Sequence, residues 1–210
     1  MSVDPLGAGP DEAGKVVAVI LAAGEGRRFG GGKQLAPLHG RALVEHALAA
    51  AAAGPASETV LVLGAAATEI EAGIRTGDAR VVRCRDWARG PAASLRAGLE
   101  ALDEGTTAVL VTLGDEPFVS PEASRRLLAA RRPGLAALRA SYRGRPGHPV
   151  LIERGLFAAM IDSPAEVKPA ELLERAGIES VECGDLGEPT DVDTPEQLAA
   201  LERLGVEEGG

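Results

Sequence analysis

The apolar positions fall into short, evenly distributed runs. Val16–Leu21 reads VVAVIL, a continuous β-branched stretch that stops at small residues and then at Gly24. A run this short with no polar alternation predicts a strand buried on both faces. Thr59–Leu63, Arg80–Cys84, Thr107–Leu113 and Leu135–Ser141 predict four further strands, and Pro149–Ile152 another. Between them the period lengthens. Arg41–Ala53, dense in Ala and Leu and closed by Gly54-Pro55, predicts a helix, as do Ala66–Arg75 and Ser94–Leu102. Ser120-Pro121-Glu122 opens another, with Ser in the capping position and Pro first inside. Pro37–Gly40 reads as a turn. Strands alternating with helices imply an α/β fold with a mainly parallel sheet and helices on both faces. Ligands of such sheets bind beyond the carboxyl ends of the strands.

Composition narrows this picture. The 210 residues are 45% apolar but only 2% aromatic, so the core must be built from Ala, Leu and Val. One domain over residues 15–206 is expected, between an N-terminal tail, 1–14, and a C-terminal tail, 207–210. The first tail is acidic and rich in Pro and Gly, without the basic start and apolar centre of a signal peptide. No run reaches the ~20 apolar residues of a membrane helix. A net charge of −9 argues against a nucleic-acid partner. Cys84 and Cys183 lack metal or redox spacing and are expected to be small buried residues in a reducing cytoplasm. Only three of 22 basic residues are lysines, Lys15, Lys33 and Lys168.

Lys33 falls in the most distinctive stretch. After the first strand come five glycines within Gly24–Gly32, interleaved with Arg27 and Arg28 and followed by Lys33. Glycine permits positive φ and close approach of backbone to ligand, and a concavity of N–H groups beside cations binds phosphate. The P-loop pattern fails, because Arg27 and Gln34 stand where Gly and Ser/Thr are required. The dinucleotide fingerprint fails too: Gly24 and Gly26 fit, but Phe29 takes the third position and Gly30 comes one residue late.

Four other segments follow strands. Around Trp87, Gly90-Pro91-Ala92-Ala93 leaves room for a base or phosphate, and Ser94 is expected to cap the following helix or donate to the ligand. In Gly114-Asp115-Glu116-Pro117, Asp115 at a buried strand end suits Mg²⁺, which needs few protein carboxylates when phosphates complete its shell. Glu116 is given no role. Arg143–Pro149 is a basic Gly/Pro loop that would wall the site, with His148 in it; His39 and His46 read as surface or packing residues. In Asp191-Val192-Asp193-Thr194-Pro195-Glu196-Gln197, Thr194 and Gln197 form a capping box and Pro195 starts a helix. The box leaves the two aspartates unexplained, and Asp193 is the candidate to complete a metal site with Asp115.

The pattern Leu21-Ala22-Ala23-Gly24, Gly26, Arg28-Phe29-Gly30, Lys33, then DWARG…SLRAGL, GDEP, and GHPVLI with DVDTPEQL, resembles MobA-like nucleotidyltransferases over about Val16–Leu201. It is most similar to molybdenum cofactor cytidylyltransferases. The resemblance implies a Rossmann-like nucleotidyltransferase three-layer sandwich that moves CMP from CTP to a phosphorylated acceptor, molybdopterin or molybdenum cofactor, and releases pyrophosphate. It implies that Leu21, Ala22, Ala23, Gly24, Gly26, Arg28, Lys33 and Ser94 hold the nucleotide. By the same likeness Arg28, Lys33 and Asp115 are catalytic, Asp115 and Asp193 hold Mg²⁺, and a molybdoenzyme is the receiving partner. Ala23 matches cytidylyl- rather than guanylyl-transferring members. Lys33-Gln34 with PLHGRAL also resembles the cytidylyltransferase of the methylerythritol phosphate pathway. Where molybdenum-type members carry GD-x-GA-R, Ala165–Glu171 differs, and Ser163-Pro164…Glu166 reads as a capping box, so the acceptor is left open. Two other classes remain: an oxidoreductase with a nicotinamide or flavin cofactor, and a non-catalytic molybdenum cofactor carrier.

Overall fold

A computed structural model describes residues 14–187 and 189–207. The rest of both expected tails lies outside the described residues. In chain order the elements are β1 (Lys15–Ala22), β2 (Pro37–Leu38), β3 (Arg41–Ala42), α1 (Leu43–Ala52), β4 (Glu58–Leu63), α2 (Ala67–Gly73), β5 (Arg80–Arg83) and α3 (Pro91–Glu100). Then follow β6 (Thr106–Leu113), α4 (Pro121–Ala129), β7 (Ala137–Tyr142), β8 (Arg145–Glu153), α5 (Phe157–Ile161), α6 (Pro169–Arg175), β9 (Glu179–Glu182) and α7 (Pro195–Glu207). Seven strands form one sheet in the order β5-β4-β1-β6-β8-β7-β9, and β2 and β3 make a separate small hairpin.

The sheet is parallel except at β8, which runs against both β6 and β7. The cause is local. Arg143 and Gly144, at φ 54° and 81°, make a two-residue turn between β7 and β8. A turn that short can join only antiparallel neighbours. The expected Arg143–Pro149 loop is therefore corrected: it is a turn of two residues, and the remainder belongs to β8.

Period-2 alternation splits the strands between two helical layers. Val17 and Val19 of β1, Val60 and Val62 of β4, and Val109 and Val111 of β6 pack with Leu95, Leu99, Phe157 and Leu173 from α3, α5 and α6. On the other face Ile20, Leu61 and Leu63 meet Val44, Leu48 and Ile70 of α1 and α2, while Leu110, Leu138 and Leu151 meet Leu127 of α4. Full burial of each such side chain stabilises by about 1.5–3 kcal/mol. The architecture is a three-layer α/β sandwich.

Helix starts decide where side chains of interest fall. Ser120 caps α4, its hydroxyl accepting from the Glu122 N–H at 3.2 Å. The Thr194–Gln197 box forms, with the Gln197 N–H donating to Thr194 and the Gln197 amide oxygen accepting from the Asp193 and Thr194 N–H groups. Two other expectations are corrected. Gly90 is the cap of α3 and Pro91 its first residue, so Ser94 lies inside the helix and caps nothing. No helix follows Ser163: its hydroxyl donates to the Pro164 carbonyl, and the chain turns before α6 starts at Pro169. No helix among the described residues is long and apolar enough to cross a membrane.

Candidate active site

The carboxyl ends of β1, β4 and β6 lie side by side, and the glycine-rich turn rises from β1. Gly26, Gly30, Gly31 and Gly32 have φ of 66°, 89°, 94° and 66°. A side chain at these positions would strain the backbone, so the run of glycines is a conformational requirement. The Gly26 carbonyl accepts from the Phe29 and Gly31 N–H groups at 2.9 and 3.2 Å, which curls the turn back on itself. Gly24, Arg27, Arg28 and Gly30–Gly32 are exposed, whereas Ala22 and Ala23 are buried and Leu21 is half-buried.

Past the turn the chain packs against the carboxyl ends of the central strands β1 and β6. Gln34 is 5% exposed and its side-chain oxygen lies 2.8 Å from where a Cβ at Gly114 would stand. Glycine at 114 is thus what lets the Lys33-Gln34 turn sit against the end of β6. The consequence is a contact between segments 82 residues apart: the Lys33 ammonium donates to the Asp115 carboxylate. It also reaches Asp193 Oδ1 at 3.2 Å, and Arg28 pairs with Asp193 Oδ2 at 2.9 Å.

Asp193 is held there by its neighbour. Val192 is fully buried among Ala36, Leu38 and Leu43, and its N–H donates to the Asp115 carbonyl at 3.0 Å. The segment before α7 is thereby pinned beside β6, with Asp191 and Asp193 on either side of the anchor. Arg28, Lys33, Asp115 and Asp193 converge at one strand-end site. Ser94 does not join their polar contacts; it is 6% exposed, and its hydroxyl lies against the Cys84 thiol.

A second polar group adjoins the first, and sequence reasoning gave two of its members no role. Glu116 is 5% exposed, and its Oε1 lies 2.8 Å from His148 Nδ1. Among the described residues its Oε2 has no hydrogen-bond partner. The Tyr142 hydroxyl donates to the His148 carbonyl at 2.7 Å, which ties that residue to the sheet. Burial disfavours charge on the His148 ring, but the hydrogen bond and charge of Glu116, joined by Asp191 and Asp115, outweigh it and raise its pKa. Asp191 is pushed up to about 6, first by loss of solvent and then by the Glu116 carboxylate against it. Glu116, Tyr142, Arg145, Asp191 and Asp193 wall an open cavity of about 540 Å³, contiguous with the first group through Asp193. The available signal was doubling: an acid beside Asp115 and another two residues before Asp193.

The model of the MobA-like NTP transferase domain matches residues 18–181. The chain is 36% identical over 197 residues to the nicotine blue oxidoreductase of Paenarthrobacter nicotinovorans, covering 89% of this chain and 96% of that protein. It is 39% identical over 158 residues to a 2-C-methyl-D-erythritol 4-phosphate cytidylyltransferase of Cereibacter sphaeroides, covering 68% of each. Among solved structures, Rv0371C of Mycobacterium tuberculosis H37Rv in complex with manganese superposes with a TM-score of 0.77 at 26% identity, covering 90% of this chain and 98% of that one.

Proposed function

The chain belongs to the MobA-like NTP transferase family, and we propose that it transfers CMP from CTP to a phosphorylated acceptor, molybdopterin or molybdenum cofactor, releasing pyrophosphate. The observation that carries the reading is the meeting of Lys33, at the foot of the glycine turn, with Asp115 and Asp193 from two other segments. The exposed turn offers N–H groups to the phosphates, and Arg28 and Lys33 offset charge growing on the leaving pyrophosphate. An acceptor phosphate oxygen attacks the α-phosphorus as the bond from that phosphorus to the β-bridging oxygen breaks. The nucleophile is already ionised, so no side chain need remove a proton. Positioning and charge stabilisation dominate such transfers. The cytidylyltransferase among the relatives and Ala23 favour CTP as the donor.

The residues suit a divalent cation. Asp115 and Asp193 present hard oxygen ligands at a half-buried strand end, and a cationic ammonium already sits between them. Mg²⁺ or Mn²⁺ held there would supply Lewis-acid neutralisation of phosphate oxygens. The manganese-bound structural neighbour supports this assignment.

The test is pyrophosphate release from CTP, GTP, ATP and UTP with Mg²⁺, with and without molybdopterin. CTP is expected to give the largest acceptor-dependent release. Asp115→Ala is expected to lose turnover at least 100-fold while keeping its circular dichroism; undiminished Mg²⁺-dependent release by that variant would overturn the assignment.

A second reading has one specific support, the relative named nicotine blue oxidoreductase, which matches over nearly its full length. On that reading the glycine turn binds the pyrophosphate of a nicotinamide dinucleotide. Oxidation of a reduced nicotinamide cofactor with nicotine blue as acceptor, in the absence of any pyrophosphate release from triphosphates, would favour it.

A further inference from the structure

We propose that the cavity beside the transfer site is an acceptor-reading subsite, in which Glu116 and Asp191 bind a planar pair of N–H donors such as the 2-amino-4-oxo edge of a heterocycle. The proposal rests on the transferase reading and adds which part of the acceptor is recognised, and by what.

Glu116 is a buried carboxylate used at only one of its oxygens. His148 Nδ1 engages Oε1 at 2.8 Å, and among the described residues Oε2 has no hydrogen-bond partner. A buried carboxylate oxygen without a donor is costly, and a native site that keeps one gains by receiving a donor. Asp191, exposed on the segment before α7, lies with its carboxyl against Glu116. Two carboxyl groups thus meet at the cavity wall, and among the described residues no other side chain donates to Glu116 Oε2. A ligand that inserts N–H groups here satisfies both.

The charge of the walls disfavours the obvious alternative. Asp193 is balanced by Arg28 and Lys33, and among the described lining residues that leaves Glu116 and Asp191 against Arg145, so an anionic group is better placed at Arg28 and Lys33 than in this cavity. A directional, donor-rich organic group fits this wall, with one N–H for Glu116 Oε2 and a second for the Asp191 carboxyl. The subsite is preorganised, since Tyr142 holds the His148 carbonyl and His148 holds Glu116. The two subsites would then grip the acceptor at opposite ends, phosphate beside Lys33 and donor edge at Glu116.

The experiment is calorimetric titration of the full chain with two probes, 2-amino-4-oxopteridine and 2,4-dioxopteridine, which differ in whether an adjacent N–H donor pair is present. The wild type is expected to bind the amino compound at least tenfold tighter. Glu116→Gln should bring the ratio near one, and Asp191→Asn, at an exposed position, should lower it severalfold. A CTP-induced rise in melting temperature retained by both variants shows that they are folded. No preference in the wild type, or an undiminished preference in both variants, overturns the proposal. Its failure is distinct from failure of the transferase reading, which would appear as no CTP-induced shift and no pyrophosphate release whatever the pteridine result.

Discussion

The ammonium of Lys33 sits where the proposed metal ligands point, so it should compete with the metal in the nucleotide-free protein. The pair with Asp193, at 3.2 Å, has a gross Coulomb attraction of about 5 kcal/mol at an effective dielectric constant of ~20. Lys33, Asp115 and Asp193 side chains are 10%, 19% and 24% exposed, so desolvation and residual screening remove much of that attraction. A net competition of about 1.5–3 kcal/mol corresponds to a roughly 10- to 100-fold effect on an equilibrium constant. Lys33→Met, which keeps the packing of the stem, should therefore tighten Mn²⁺ binding by that factor without nucleotide, while lowering pyrophosphate release from CTP. Free Mn²⁺ measured by electron paramagnetic resonance during titration gives the first quantity directly. Asp115→Asn should shift it the other way. If Lys33→Met leaves Mn²⁺ affinity unchanged or weakens it, Asp115 and Asp193 are not the metal ligands, and the charge argument for the site fails.

Three further outcomes follow from local geometry. Gly114→Ala places a Cβ 2.8 Å from both the Ala22 Cβ and the Gln34 side-chain oxygen; it should destabilise by about 1–3 kcal/mol, read by thermal unfolding, and reduce turnover by moving Lys33 away from Asp115. Glu45 accepts from the Ala42 and Arg75 N–H groups at 3.0 and 2.9 Å, and these bonds, led by that from Arg75, hold its pKa below the usual carboxylate range. Glu45→Ala should cost about 1–2 kcal/mol near neutral pH. A lowered carboxyl contributes stability above its unfolded pKa and loses it as pH falls through the folded one, so the gap between wild type and variant in urea titrations should close below about pH 4. Cys84 and Cys183 are 4% and 0% exposed, and burial pushes both thiols up; a chromogenic disulfide reagent should modify them only as fast as the chain unfolds.

The strands were legible because a doubly buried strand must be apolar nearly throughout; Val16–Leu21 is apolar at every position and Thr107–Leu113 at all but its two threonines. Strand direction was not. Hydrophobic period carries no sign, and the reversal of β8 is set by Arg143-Gly144, a turn without the Asn-Gly or Asp-Gly chemistry that announces a tight hairpin. The start of α3 was misplaced because Ser94 is a good cap in isolation; Gly90-Pro91 ahead of it was the stronger pairing, since proline is preorganised for the first helical position. Arg28, Lys33, Asp115 and Asp193 could be picked out one by one as charged residues following strands. Their meeting is tertiary: it depends on the missing Cβ at Gly114 and on the burial of Val192, neither of which any local pattern displays.

Glu116 shows why neighbouring acids cannot be assigned by position alone. Asp115 and Glu116 are adjacent, yet they serve different groups: the former meets Lys33, and the latter is turned to His148 on the neighbouring strand β8. Asp191 and Asp193 divide in the same way, because burial of Val192 between them fixes the backbone while the two carboxylates reach different partners. One goes to Glu116 and the other to Lys33 and Arg28. Each acidic segment therefore contributes one carboxylate to the cationic turn and one to the adjoining cavity. A nucleotidyltransferase must hold a highly charged donor and an acceptor at bonding distance without confusing them. On the transfer and acceptor site proposed above, two carboxylate pairs built on the same two segments, one balanced by Lys33 and Arg28 and the other left acidic, would keep the phosphates on one side and the acceptor's donor edge on the other.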